Sequence, residues 1–195
     1  KFMKHAGLEI REWDAKAGHH WDSAMAGSSS LRAAVLRALR CENDAARGEH
    51  VAHELWDMKQ FYDSVFFPAL VVELGRRGYP KHLLVIGFLA HAAPRVLRVG
   101  KSLGQTIVDC RNSTFAGDQQ SVSFTRGLLC KLVEILPNVD PEYPVSVHVD
   151  DLSHALVAET KQELEEKCLE AGRVVGREVK RLGLILSTKT KSFLN

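Results

Sequence analysis

A chain of 195 residues with 45% hydrophobic content has enough apolar mass for one buried core. A formal net charge of only +2 excludes the strongly basic class of dedicated nucleic-acid binders, so composition by itself points to no polymeric ligand. No stretch reaches the roughly 20 apolar residues of a membrane span, and no signal-peptide pattern is seen. The four cysteines, Cys41, Cys110, Cys130 and Cys168, form no CxxC or Cys/His ligand pair and read as reduced thiols of an intracellular protein. The chain starts without Met and stops just after a motif, which predicts a piece cut from a longer protein.

Residues 1–26 show no clear period. Ser28, Ser29 and Ser30 are N-cap candidates for a helix in which Leu31, Val35, Leu36 and Leu39 recur at helical spacing, with Gly48 ending it after Arg47. Residues 51–57 read as a strand running into a polar turn. Helices are predicted over 64–77 and 80–92, separated by Gly78-Tyr79-Pro80. Residues 96–99 and 105–110 read as a short hairpin, 111–118 as a polar loop, and 121–136 as a helix broken by Pro137 and Pro141. Val145, Val147 and Val149 alternate with Ser146, His148 and Asp150, the period of a half-buried strand. Residues 152–158 are predicted to return antiparallel, leaving Asp150-Asp151 at the hairpin turn. In the last helix, 160–182, Leu164, Cys168, Ala171, Val175, Val179 and Leu182 make one apolar stripe, and Arg173, Arg177, Lys180 and Arg181 lie mostly off it. A strand over 184–186 precedes Ser187-Thr188-Lys189-Thr190. No repeat or linker divides the chain, so one α+β unit is expected.

Three acids stand where acids are usually avoided. Asp57 closes an apolar strand, and Asp150-Asp151 ends another. Adjacent like charges repel, and a pair of divalent cations would resolve that repulsion. Carboxylates suit Mg²⁺, and two metal ions can activate an attacking oxygen and stabilise a leaving one. On spacing alone, Asp150-Asp151 is equally ordinary turn chemistry.

The surrounding sequence adds to this. Asp57-Met-Lys-Gln-Phe61-Tyr62-Asp63-Ser64-Val65 resembles the reverse-transcriptase motif written D-(x)4-aromatic-D-S-V. His148-Val149-Asp150-Asp151 resembles that family's Tyr-x-Asp-Asp hairpin. Between them, Ala116-Gly117-Asp118-Gln119-Gln120-Ser121 resembles the Gln-Gly-x-x-x-Ser loop, and 183–190 resembles the Gly-Leu-x-x-x-x-Lys-Thr segment. Upstream, Gly27-Ser28-Ser29-Ser30 followed by a helix matches the element that precedes the first acidic motif. The five elements, in order, cover most of residues 20–195 and are closest in flavour to non-LTR retroelement and group II intron enzymes.

The resemblance implies a polymerase palm, an antiparallel sheet packed on helices, with part of the fingers. Residues 1–26 are expected as a partial fingers or upstream segment and 27–195 as the palm core, with the thumb absent. The implied activity is RNA-directed DNA synthesis by two-metal nucleotidyl transfer onto a primer 3′-OH. Its partners would be an RNA template, a DNA primer, dNTPs, and the fingers and thumb of the parent chain. Asp57, Asp150 and Asp151 would hold two Mg²⁺ ions, or Mn²⁺ in their place. Asp57 and Asp150 would be the main ligands and Asp151 the weaker one. Tyr62 would sit under the incoming sugar and exclude a ribose 2′-OH, though it also reads as a core aromatic. Gly117 would permit close backbone approach, and Ser121 would help position template or nucleotide. Lys189 would neutralise phosphate charge or give a proton to pyrophosphate, though it reads equally as a surface lysine. Asp63 reads as a turn or capping residue. Arg32, Arg37 and Arg40 are either template contacts or a solvated helix face. The family also implies an intracellular location, with a nucleus fitting a retroelement.

The chain departs from the pattern at three places. Ala116 replaces the loop Gln, His148 replaces the hairpin Tyr, and Asp118 adds a negative charge beside the site. The alternative function is a catalytically inactive, nucleic-acid-binding remnant of such an enzyme.

Overall fold

The computed structural model describes residues 2–17, 21–25, 27–107, 110–118, 120–140 and 145–194. Helix α1, Phe2–Ala17, forms where the sequence showed no period. Its inward face is Ala6, Ile10 and Trp13, with Ala17 packed behind them. Two of these four are alanines, and the exposed Leu8 interrupts the stripe, which hides the helical spacing. The Trp13 indole donates to the Arg77 carbonyl at 3.0 Å and meets Tyr79 edge-on at 4.9 Å, so α1 shares one core with the rest of the chain.

Helix α2, Ser30–Ala46, starts as expected: the Ser29 hydroxyl accepts from the Arg32 N–H at 3.2 Å. Gly48, at φ +88°, turns the chain away after Arg47. Its orientation differs from what the leucines suggest. Leu31, Val35, Leu36 and Leu39 are exposed, Leu31 at 73%. The face toward the sheet is made mainly of small residues around Arg37, and Cys41 and Ala45 pack on Val51, Ala155 and Val157. Short side chains let α2 lie close to the strands, which branched leucines at those positions would prevent.

Strand β1, His50–Trp56, runs into the short helix α3, Phe61–Ser64, then α4, Phe67–Arg76, and α5, Lys81–Ala92. Strands β2, Arg95–Val99, and β3, Ser102–Ile107, form a separate hairpin. Helix α6, Ser121–Ile135, is followed by β4, Ser146–His148, and β5, Asp151–Ala158. Helix α7, Lys161–Arg181, and strand β6, Lys191–Leu194, complete the fold. The main sheet has the order β4-β5-β1-β6, every neighbour antiparallel.

The predicted strand over 184–186 is replaced by an irregular crossing with a single bridge, Leu186 to Met58; the strand forms later, as β6. Gly183, at φ +75°, ends α7 and sends the chain across the end of β1 before it can pair. There Lys59 N–H donates to Ile185 O and Ser187 N–H to Asp57 O, both at 2.8 Å.

Helix α7 packs on β1 and β5, and α6 lies against it with α1 and α4 packed on α6 in turn, all within one core. Leu128, Leu132 and Leu136 share that core with Ala52, Trp56, Leu152 and Leu156, and the α7 stripe of Leu164, Ala171, Val175 and Val179 is buried as its spacing predicts. Gly127 sets the α4–α6 distance, since a Cβ in its place would stand 2.3 Å from Leu74 Cδ2. All four cysteines are free. No helix among the described residues is long and apolar enough to cross a membrane.

His154 lies in this core at 0% exposure, beside Trp56. Burial pushes its pKa down to about 4, against the pull of Asp140 and with help from His53. In the unfolded chain the imidazole titrates near 6.5, so the unfolded state takes up the proton first. The stability this neutral histidine allows is present above 6.5 and is lost as pH falls toward 4, by roughly 3 kcal/mol. His154→Leu should flatten that part of the acid limb in urea titrations at successive pH values; an unchanged limb would place the acid sensitivity elsewhere.

Candidate functional site

The β1–β5 register ends with Trp56 opposite Leu152, so the next residues, Asp57 and Asp151, emerge side by side. His148 pairs with Asp151, leaving Val149 and Asp150 as a two-residue turn. Val149 has φ +60°, a left-handed conformation that a β-branched residue adopts only under strain. The strain falls at the tip that presents Asp150.

Asp150 has its pKa raised, first by burial and then by the charges of Asp151 and Asp57; its backbone hydrogen bond and His148 pull the other way. The three acids therefore feel one another across the strand ends. Tyr62, on α3, stands on the Asp150 side. Its hydroxyl pKa is raised by burial and by Asp150, offset by a hydrogen bond with Thr125 of α6. Its ring meets Phe61 edge-on at 5.5 Å, and its carbonyl accepts from Thr114 N–H at 2.8 Å. Among the described residues, no three His, Cys, Asp or Glu side chains already surround one point.

A cavity of about 530 Å³ opens between α2 and the sheet, bordered by Asp57, Asp151, Lys189, His148 and Arg37. Lys189 reaches it because its loop is tied to Asp57. The Thr190 hydroxyl accepts from Asp57 N–H and lies 3.3 Å from Asp57 O, while Ser187 N–H donates to the same carbonyl. His148 is oriented by Ser23, whose Oγ lies 3.2 Å from Nδ1 and 3.0 Å from the Val147 carbonyl. A hydroxyl has one proton. With that proton on Val147 O, Nδ1–H donates to Ser23, which fixes the ring with Nε2 on its far side.

Gly117 and Ser121 lie apart from this cavity, in the loop that opens α6. Gly117 takes φ +84°, and nothing lies within 4 Å of where a Cβ would be. Ser121 is buried, and its hydroxyl donates to Phe115 O at 2.6 Å, so it braces the loop. The negative charge of Asp118 is held there too: it accepts from Gln120 N–H at 2.9 Å and lies 3.6 Å from His91 Nε2. A larger cavity of about 910 Å³, between α4 and α5, is lined mainly by apolar side chains such as Phe67, Val71, Leu84 and Phe88, with no acid among them.

Sequence reading did not single out Ser23 or the clamp of Thr190 on Asp57, and it left Arg37 grouped with Arg32 and Arg40. One signal was present: Ser30, Ala33 and Arg37 fall at spacings of three and four, on the face of α2 that borders the cavity. Arg32 and Arg40 are exposed.

No protein-family model matches the sequence, and no curated protein does either. Solved structures do. Apo telomerase from Candida tropicalis, truncated from its C-terminal domain, matches with TM-score 0.67 and 15% identity over 99% of this chain and 40% of that one. Telomerase from Candida tropicalis in complex with a TWJ fragment of telomeric RNA matches with TM-score 0.67 and 12% identity, over 96% of this chain and 33% of that one. The corresponding Candida albicans complex matches with TM-score 0.64 and 13% identity, over 97% and 34%. The chain thus spans 33–40% of the length of these telomerases, and at such identity the likeness is one of fold. An antiparallel sheet packed on helices gives this chain the fold that part of these telomerases also adopts.

Proposed function

We propose that the chain is the palm of an RNA-directed DNA polymerase, extending a DNA primer on an RNA template by nucleotidyl transfer. The observation that carries this reading is the meeting of Asp57, Asp150 and Asp151 at the ends of β1 and β5, where burial and the neighbouring carboxylates raise the Asp150 pKa. An incomplete acidic cage suits Mg²⁺, which is usually held by one or two carboxylates plus substrate phosphates. Asp57 and Asp150 would be the principal ligands and Asp151 the third. Bound there, two Mg²⁺ ions, or Mn²⁺, would activate the primer 3′-oxygen and stabilise the departing pyrophosphate.

The protein's own groups have definite tasks in this reading. Lys189, fixed beside Asp57, neutralises phosphate charge or gives a proton to pyrophosphate. Tyr62 lies under the sugar, while Gly117 and Ser121 shape the loop beneath template and nucleotide. The neighbouring telomerases bound to telomeric RNA support a nucleic-acid partner. Fingers and thumb of a parent chain would complete the grip. The test is Mg²⁺-dependent extension of a DNA primer on an RNA template. Extension supports the polymerase reading. Binding of primer and template without extension, with the fold intact, favours the inactive remnant instead.

Tyr62→Ala should relax discrimination against ribonucleotides by about tenfold or more, because the ring's bulk is what meets a 2′-OH. Ratios of kcat/KM for dNTP and rNTP measure this; an unchanged ratio removes Tyr62 as the steric gate.

A further inference from the structure

The α2 wall of the acidic cavity carries an inward-turned cation. Arg37 is half-buried and donates to the Ser153 hydroxyl. Among the described residues no carboxylate forms an ion pair with it. Burial lowers its pKa, and its neighbour Cys41 is a thiol whose own pKa burial raises. Its guanidinium borders the cavity that holds Asp57, Asp151 and Lys189, and also a second one of about 350 Å³ with Cys41 and His53. Burying part of a guanidinium without a counter-charge costs free energy, and a fold retains such a group most readily where an anion arrives to pair with it.

Ser153 locates the group. It lies two residues beyond Asp151 on β5, and strand geometry puts successive same-face residues about 7 Å apart. Arg37 therefore stands roughly one phosphate unit beyond the acids, with its planar fork of donors suited to phosphate oxygens. Arg32 and Arg40, exposed on α2 and outside this cavity, have no such position.

We propose that Arg37 is a phosphate-binding residue, taking a phosphate of the substrate that lies over Asp57 and Asp151. This rests on the polymerase reading above. The phosphate belongs either to the incoming nucleoside triphosphate or to the nucleic-acid strand, and binding measurements separate the two.

The experiment measures affinity of the 195-residue chain for a non-hydrolysable deoxynucleoside triphosphate with Mg²⁺, and for an RNA–DNA hybrid at several salt concentrations. Wild type, Arg37→Met and Arg37→Lys are compared, each with its Tm. Arg37→Met is expected to weaken one ligand by about tenfold or more, with Tm unchanged or raised because an unpaired cation has gone. Arg37→Lys should keep part of the affinity, since the charge remains and the fork does not. Loss confined to the triphosphate assigns the phosphate to the nucleotide. Loss confined to the hybrid, with a salt slope smaller by about one, assigns it to the strand. Wild-type affinity for both ligands in Arg37→Met overturns the proposal and leaves the polymerase reading standing. So does lost affinity accompanied by a lowered Tm in both variants, the mark of a structural tie to Ser153. If wild type binds neither ligand, this inference fails, while Mg²⁺-dependent primer extension decides the polymerase reading separately.

Discussion

Asp150→Asn is expected to reduce primer extension by about a hundredfold or more and, at the same time, to raise the Tm of the metal-free protein. The two effects have one cause. Burial and the neighbouring charges of Asp151 and Asp57 raise the Asp150 pKa, so the folded state holds that proton more tightly than the unfolded chain does. The associated stability is full below 3.8 and is lost as pH rises through the raised value, so at neutral pH the ionised carboxylate works against the fold. An amide removes that repulsion and, with it, the charge that would attract Mg²⁺. Wild-type Tm should rise on adding Mg²⁺, and the Asp150→Asn Tm should not. Identical metal responses in the two proteins, or undiminished extension by the variant, would sink the assignment of Asp150 as a ligand.

Arg126→Met should cost about 3–5 kcal/mol of folding stability, the largest structural effect expected of a single substitution here. Arg126 is 4% exposed and sits between Asp14 of α1 and Asp22, itself 3% exposed. Ser123 also donates to Asp14, at 3.0 Å, and Ala24 N–H to Asp22, at 2.8 Å. Removing the cation leaves a buried carboxylate with no charge to balance it. The loss reaches the site, because residues 21–23 lie against β4 through hydrogen bonds of 2.8 and 2.9 Å to Val147. Ser23, which orients His148, rides on that segment. Urea denaturation measures the effect. Adding Asp22→Asn to Arg126→Met should restore part of the stability, since the orphaned charge is then gone. A double variant no more stable than the single one would show that the charge is not the source.

Much of the local structure was legible because its signals are local. The Ser29 cap, the Gly48 stop, the alternation before Asp150 and the stripe of α7 each depend on residues within one or two turns of one another. The errors have local causes too. Alanine is a weak marker of a buried face, so α1 was missed and the small-residue side of α2 was outweighed by its leucines. Strand β6 was misplaced because pairing to β1 requires Lys191 to meet Leu55, a contact across the chain that no local pattern encodes.

The candidate site divides in the same way. By itself the sequence determined which residues are candidates for the chemistry: three acids at strand ends, an aromatic five residues after the first, and a lysine near the end. Spacing within a motif is a covalent fact, and it survives any packing. Only the tertiary structure decided that Asp57 and Asp151 emerge side by side, that Thr190 clamps Lys189's loop onto Asp57, and that Ser121 spends its hydroxyl on Phe115. It also chose Arg37, of three arginines on one helix, to face the acids. That choice follows from which face of α2 can approach the sheet closely, and close approach is a property of two packed surfaces, which neither sequence segment contains alone.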